Sequence, residues 1–170
     1  MHLLIVILGV YVATLGFAIL INVSPKALNL GGLVGVAGYL VYLAYFTFIG
    51  GYVGANVFGA FTIGICGMLA AKYKKMPVII FNIPALVPLV PGGQAYQVMK
   101  YVAMNRPHLA FFYLMQVLMI AGALAMGFLL SELVIQLYNY LKRNLKKEEK
   151  AHKRFFFFWF KDVKIIRVQN

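Results

Sequence analysis

Between Asn82 and Met99 the sequence reads NIPALVPLVPGGQAYQVM. Pro84, Pro88 and Pro91 recur at i, i+4 and i+7, so in a helix they share one face. Each lacks an N–H and crowds the preceding turn. The carbonyls of Ile80, Pro84 and Val87 thereby lose their usual helical donors, and Gly92–Gly93 releases the backbone from side-chain restraint. The following QAYQVMKYV can restart a helix whose first N–H groups, near Gly93 to Ala95, are unpaired. A half-helix N-terminus attracts anions, and freed carbonyls attract cations or ammonium groups. Such an arrangement binds rather than catalyses, and a zwitterion or a carboxylate suits it. The candidate binding set is Pro88, Pro91, Gly92 and Gly93 for the backbone, with Asn82, Gln94, Tyr96 and Gln97 giving side-chain hydrogen bonds. The competing reading of the same residues is a proline kink satisfied by neighbouring helices.

Other polar residues add less. Asn56 lies in a Gly-rich apolar stretch, where it either faces a cavity or makes a packed interhelical hydrogen bond. Glu132 is the one acid near the apolar stretches. Acids within a membrane are functional by default, so proton coupling is one reading of Glu132 and an interfacial ion pair is the other. The remaining acids, Glu148, Glu149 and Asp162, lie near the C-terminus, leaving thin material for acid–base catalysis. His2, His108 and His152 are too far apart to suggest a metal site, and no cofactor motif is present. Cys66, the only cysteine, reads as a packed thiol.

These residues must be positioned by membrane helices. Of 170 residues 63% are apolar and 12% charged, with a mean hydropathy of +0.85; a soluble domain carries about 25% charged residues. The fold expected is an all-α membrane bundle. A span needs about 20 mostly apolar residues. Leu3 to Asn22 qualifies, and without a basic n-region or small-residue cleavage site it reads as a span rather than a signal peptide. Asn22, before VSPKA, marks its end. Ala27 to Ala71 is free of charge and long enough for two spans divided near Gly50–Gly51, the second closed by Lys72, Lys74 and Lys75. The fourth, about Pro77 to Met99, contains the interrupted stretch. The fifth starts near Leu109. Its helical pattern runs on to Leu141, about 50 Å at helical rise against a hydrocarbon core of about 30 Å, so a continuous helix should emerge from the membrane.

The net charge of +12 is concentrated after Leu141. With the N-terminus outside, Lys26, Lys72, Lys74, Lys75 and this tail fall inside, and only Lys100 and Arg106 outside, as the positive-inside bias requires. The expectation is five crossings, N-out and C-in, with a bundle over 1–141 and a basic, aromatic-rich cytoplasmic tail over 142–170. The tail suits anionic lipid rather than nucleic acid. Its FFFFWF, Phe155 to Phe160, fits the membrane interface or a docking partner, and KIIRV carries a weak strand signal. Gly31/Gly35, Gly50/Gly54, Ala55/Gly59, Ala60/Gly64 and Ala123/Gly127 place small residues four apart, which lets helix backbones approach closely, within the chain or towards another subunit.

IPALVPLVPGGQAY resembles the Pro-Gly signature of the threonine/serine exporter family. The chain from about Leu3 to Leu141 is most similar to the small membrane subunit of its split, two-component (YjjB-like) form, and FAILINVSPKALNLGGLVG, Phe17 to Gly35, resembles that subunit's first loop and second span. Pro88, Pro91, Gly92 and Tyr96 carry the motif, whereas relatives tend to have a small residue where Gln94 stands. The resemblance implies a larger partner subunit with its own membrane helices and a hydrolase-like cytoplasmic region. It also implies residence in the bacterial plasma (inner) membrane, and export of threonine- or serine-type amino acids or small dicarboxylates. The competing readings are a homo-oligomeric channel and a structural membrane subunit. The scarcity of acids and histidines argues against a membrane enzyme.

Overall fold

The computed structural model describes residues 2–168, with side chains described for residues 3–143. The chain is all-helical over the described residues: α1 His2–Leu20, α2 Pro25–Phe48, α3 Tyr52–Lys74, α4 Ile79–Leu86, α5 Gly92–Ala103 and α6 Pro107–Val168. Four of these contain stretches long and apolar enough to cross a membrane: Leu3–Leu20, Pro25–Phe48, Tyr52–Lys74 and Pro107–Arg143. The chain divides into two units, Met1–Glu132 and Leu133–Asn170.

The helix boundaries are locally encoded. Asn22 adopts the left-handed conformation (φ 58°) at the end of α1, and the Val23 N–H donates to the Ala18 carbonyl at 2.9 Å. Lys75 (φ 55°) after α3 and Asn105 (φ 55°) after α5 repeat the device, with Met76 donating to Ala71 and Arg106 to Tyr101. In each case a carbonyl orphaned by the helix end gains a donor. Pro25 and Pro107 open α2 and α6, at a position where proline's fixed φ fits and its missing N–H is not needed. Gly50 and Gly51, at φ 79° and 87°, form the sharp turn between α2 and α3, a conformation only glycine adopts readily.

In the first unit α2 packs most extensively on α3, then on α1 and α4; α4 also touches α1 and α3. The core is built largely from small residues: Ala27, Ala60, Ala70, Ala71 and Ala85 are buried together with Val34, Ile63, Phe81 and Leu89. Glycines bring the helices close. A Cβ at Gly38 would strike the Ile63 side chain, and one at Gly35 the Thr14 hydroxyl. Ile120 and Leu124 of α6 complete the core. α6 also meets α3 where a Cβ on Gly127 would run into the Val57 carbonyl and one on Gly64 into Ser131. Lipid tails are as apolar as leucine, so such close backbone approach rather than water exclusion stabilises membrane helix contacts. Leu3, Leu4, Ile5, Leu8 and Val12 of α1 are exposed, as a lipid-facing surface would be.

The second unit is the remainder of α6, helical through Val168, so KIIRV (164–168) continues that helix instead of forming a strand. The environment of Phe155 to Phe160 and any contact of the basic tail with lipid or partner lie outside the residues whose side chains are described.

Candidate functional site

Pro84 sits inside α4, which ends at Leu86, and Pro91 caps α5 from the N-terminal side. Residues 87–91 between them form a tight non-helical linker. The Leu86 carbonyl accepts from both Leu89 (2.8 Å) and Val90 (3.1 Å). Pro91 (φ −75°, ψ 53°) is the centre of an inverse γ-turn closed by the Gly92 N–H on the Val90 carbonyl at 2.7 Å. The Pro84 carbonyl has no i+4 donor, since residue 88 is proline, and the Val87 N–H reaches back to it instead at 3.2 Å in a 3₁₀-type bond. Among the described residues, no backbone N–H reaches the carbonyls of Val87, Pro88 or Leu89.

α5 begins without a side-chain cap. Its first helical hydrogen bond runs from the Ala95 N–H to the Pro91 carbonyl at 3.0 Å, which leaves the Gly93 and Gln94 amides as open donors at the positive end of the helix dipole. A Cβ at Gly92 or Gly93 would meet nothing within 4 Å. Packing therefore does not demand glycine at either position; the space beside them is open.

Two cavities adjoin this helix start. The smaller, about 160 Å³, is lined by Tyr39 and Tyr42 of α2, Tyr52 and Asn56 of α3, Pro88 to Pro91 of the linker, Gln94 of α5 and Ile120 of α6. The larger, about 770 Å³, is lined by Tyr52 and Val53, by Gly93, Gln94 and Gln97, and by α6 residues from Phe112 to Ile120, including Tyr113 and Gln116. Tyr52, Gln94 and Ile120 border both, so they form the partition between them. No charged side chain lines either cavity among the described residues.

The aromatic groups are held by one another. Tyr39 and Tyr42 pack at 5.7 Å between ring centroids, Tyr42 stacks on Phe46 at 6.2 Å, and Phe46 meets Tyr52 at 5.0 Å. Asn56 is 3% exposed, and its amide Nδ2 donates to the Tyr52 carbonyl at 2.7 Å. Its Oδ1 has no hydrogen-bond partner, nor does the buried Oε1 of Gln97. A buried acceptor left unpaired costs about 1–3 kcal/mol.

The residues singled out in the sequence are thus distributed unevenly. Asn56, Pro88, Pro91 and Gln94 converge on the smaller cavity, and Gly93, Gln94 and Gln97 on the larger. Gly92 opens α5 and lines neither. Tyr96 is exposed and also lines neither. Asn82 lies against α3, where its Oδ1 occupies the space that a Cβ on Gly67 would need; that oxygen is buried and unpaired as well. Glu132 is exposed and borders neither cavity. Tyr39, Tyr42, Tyr52, Tyr113 and Gln116 were not identified from the sequence. The available signal was four tyrosines with polar tips, Tyr39, Tyr42, Tyr45 and Tyr52, in the otherwise apolar stretch around Gly50–Gly51.

A family model described as "Threonine/Serine exporter, ThrE" matches residues 6–134, a range that takes in every lining residue of both cavities. An uncharacterized protein of Haemophilus influenzae is 30% identical over 89 residues, covering 52% of this chain and 30% of that relative's length. No solved structure matches the chain.

Proposed function

Because the chain belongs to the threonine/serine exporter family, we propose that it is the small membrane subunit of a two-component exporter of small polar metabolites, either threonine- or serine-type amino acids or small dicarboxylates. The solute passes at the interruption between α4 and α5. The observation that carries this reading is the cavity at the interruption, lined by Pro88 to Pro91 of the linker, by Gln94 of the uncapped α5 and by Asn56 of α3. Irregular backbone survives in a bilayer only where it is buried in protein or lines a wet cavity.

On this reading the segment from α4 to α5 is a single crossing. Its 8- and 12-residue helices together measure about 30 Å at helical rise, the thickness of the hydrocarbon core. With the four apolar helices it makes five crossings, N-terminus outside, with the basic end of α6 in the cytoplasm of a bacterial cell. Transport through this chain alone would require the path to be closed by further copies; a larger partner subunit closes it in the two-component form.

The test is export from cells expressing the chain with its partner. Gly93→Leu places a branched side chain in the open space beside α5 and is expected to reduce solute efflux at least tenfold while the complex still assembles. Unchanged efflux from a normally assembled Gly93→Leu complex refutes passage at this point. Co-purification tests the partner: recovery of the chain as a homo-oligomer with full export activity by itself would replace the two-component reading with a channel.

A further inference from the structure

A further groove lies between α2 and α3, away from the α4–α5 interruption. We propose that it seats one acyl chain of an anionic phospholipid whose phosphate is held by Lys26, Lys74 and Lys75. The inference does not depend on which solute the protein carries.

The groove measures about 400 Å³ and is bordered by Leu30, Leu33 and Ala37 of α2 and by Cys66, Leu69 and Tyr73 of α3. Leu33 and Leu69 are exposed, whereas Ala70, which also borders it, is buried. Bulky leucines thus stand beside small residues, and the difference in side-chain size makes the depression. Among its described lining, the polar side-chain atoms are the Tyr73 hydroxyl and the Cys66 thiol, so most of its length offers nothing to a polar solute. A lipid tail suits it. Lipid tails are as apolar as leucine, however, so the groove alone would take any tail without preference.

The preference comes from charge at one end. α2 and α3 run antiparallel: a Cβ on Gly38 would strike the Ile63 side chain, and one on Gly59 would lie 3.2 Å from Tyr42 Cβ. Both contacts give the same register, and carried along the two helices it sets Lys26 level with Lys75. Lys26, Lys72, Lys74 and Lys75 are all exposed. Lys74 Nζ sits 5.7 Å from the centre of the Tyr73 ring, which places an ammonium group where the groove ends. Among the described side chains the one acid is Glu132 of α6, and it does not line the groove. A phosphate at this end gains charge-assisted hydrogen bonds, and each lysine near the surface is worth roughly fivefold in affinity for anionic lipid. The depth agrees. From Lys26 to Ala37 is about 16 Å at helical rise, close to half of a hydrocarbon core of about 30 Å. The groove therefore runs through one leaflet, from the level of the phosphates towards the bilayer midplane.

The test is photo-crosslinking of the full chain, alone and assembled with the proposed partner subunit, in phosphatidylcholine vesicles. The probes are phosphatidylglycerol and phosphatidylcholine carrying the same diazirine-bearing acyl chain, each added in trace amount. Adducts mapped by peptide mass spectrometry are expected within residues 30–37 and 66–73, with at least fivefold more from the phosphatidylglycerol probe. Mapping by position separates this site from the basic stretch after Leu141. The double variant Lys26→Gln/Lys74→Gln changes two exposed positions and is expected to abolish the headgroup preference. Ala37→Phe fills the groove, keeps every charge and is expected to remove the adducts of both probes. Should Ala37→Phe fail to assemble, the lysine variant decides alone. Equal labelling by the two probes, a preference that survives the lysine substitutions, or adducts confined to other helices overturns the assignment. Labelling of the isolated chain that disappears once the partner is assembled also overturns it, and gives the groove to a protein helix.

Discussion

α4 and α5 come from one continuous stretch of sequence and meet opposite surroundings. In α4, Phe81, Pro84 and Ala85 are buried and the helix contacts α1, α2 and α3. In α5 no residue is buried, and the Tyr101–Tyr113 stack at 5.4 Å ties it to α6. The linker of Pro88 to Pro91 allows this division. An uninterrupted helix would carry one pattern of contacts along its length. Two short helices let one half serve as a wedge in the bundle while the other leaves its first amides open.

The comparison would break most clearly at Phe81. Its side chain is fully buried, so Phe81→Ala is expected to cost roughly 3–5 kcal/mol of stability, whereas Met99→Ala on α5, 71% exposed, should stay within about 0.5 kcal/mol. Reversible unfolding in detergent measures both, and similar losses would mean that α5 is as deeply packed as α4. A sharper test compares two glycines. Gly67→Ala pushes a Cβ into Asn82 Oδ1 and is expected to destabilise by about 1–3 kcal/mol. Asn82→Ala in the same chain should recover much of that loss, because the two positions are coupled. Smallest of all is Gly93→Ala, where a Cβ meets nothing within 4 Å. It should be neutral or stabilise α5 by up to about 1 kcal/mol, through a less flexible unfolded chain. A loss above 1 kcal/mol there would mean that the space beside Gly93 is filled.

The sequence made the helix boundaries readable because each is set by a residue or two: Asn22, Pro25, Gly50–Gly51 and the lysines at 72–75. The interruption at Pro88 to Gly93 was equally local. The fate of the freed carbonyls was not, since Pro84 found a donor in Val87 through a change of turn type that proline spacing does not specify. The burial of α4 was also hidden. In a soluble protein a buried face is announced by polar residues on the other side, but in IIFNIPAL apolar side chains serve lipid contact and protein contact alike. The cavity was half legible. Asn56, Pro88, Pro91 and Gln94 stood out as polar or backbone-breaking residues in apolar surroundings. Tyr39, Tyr42 and Tyr52 did not, because their meeting depends on how α2 crosses α3, and that crossing is set by glycines scattered along both helices.

Those glycines have an evolutionary consequence. Every substitution of glycine adds at least a Cβ, so at Gly35, Gly38, Gly64, Gly67 and Gly127, where that atom would strike a neighbour, no single codon change is mild. Gly9, Gly16 and Gly122, which face empty space, have no such restriction. Sequence drift in this lineage should therefore be filtered glycine by glycine, and a saturation library scored for assembled protein would separate the two groups into depleted and freely varying codons.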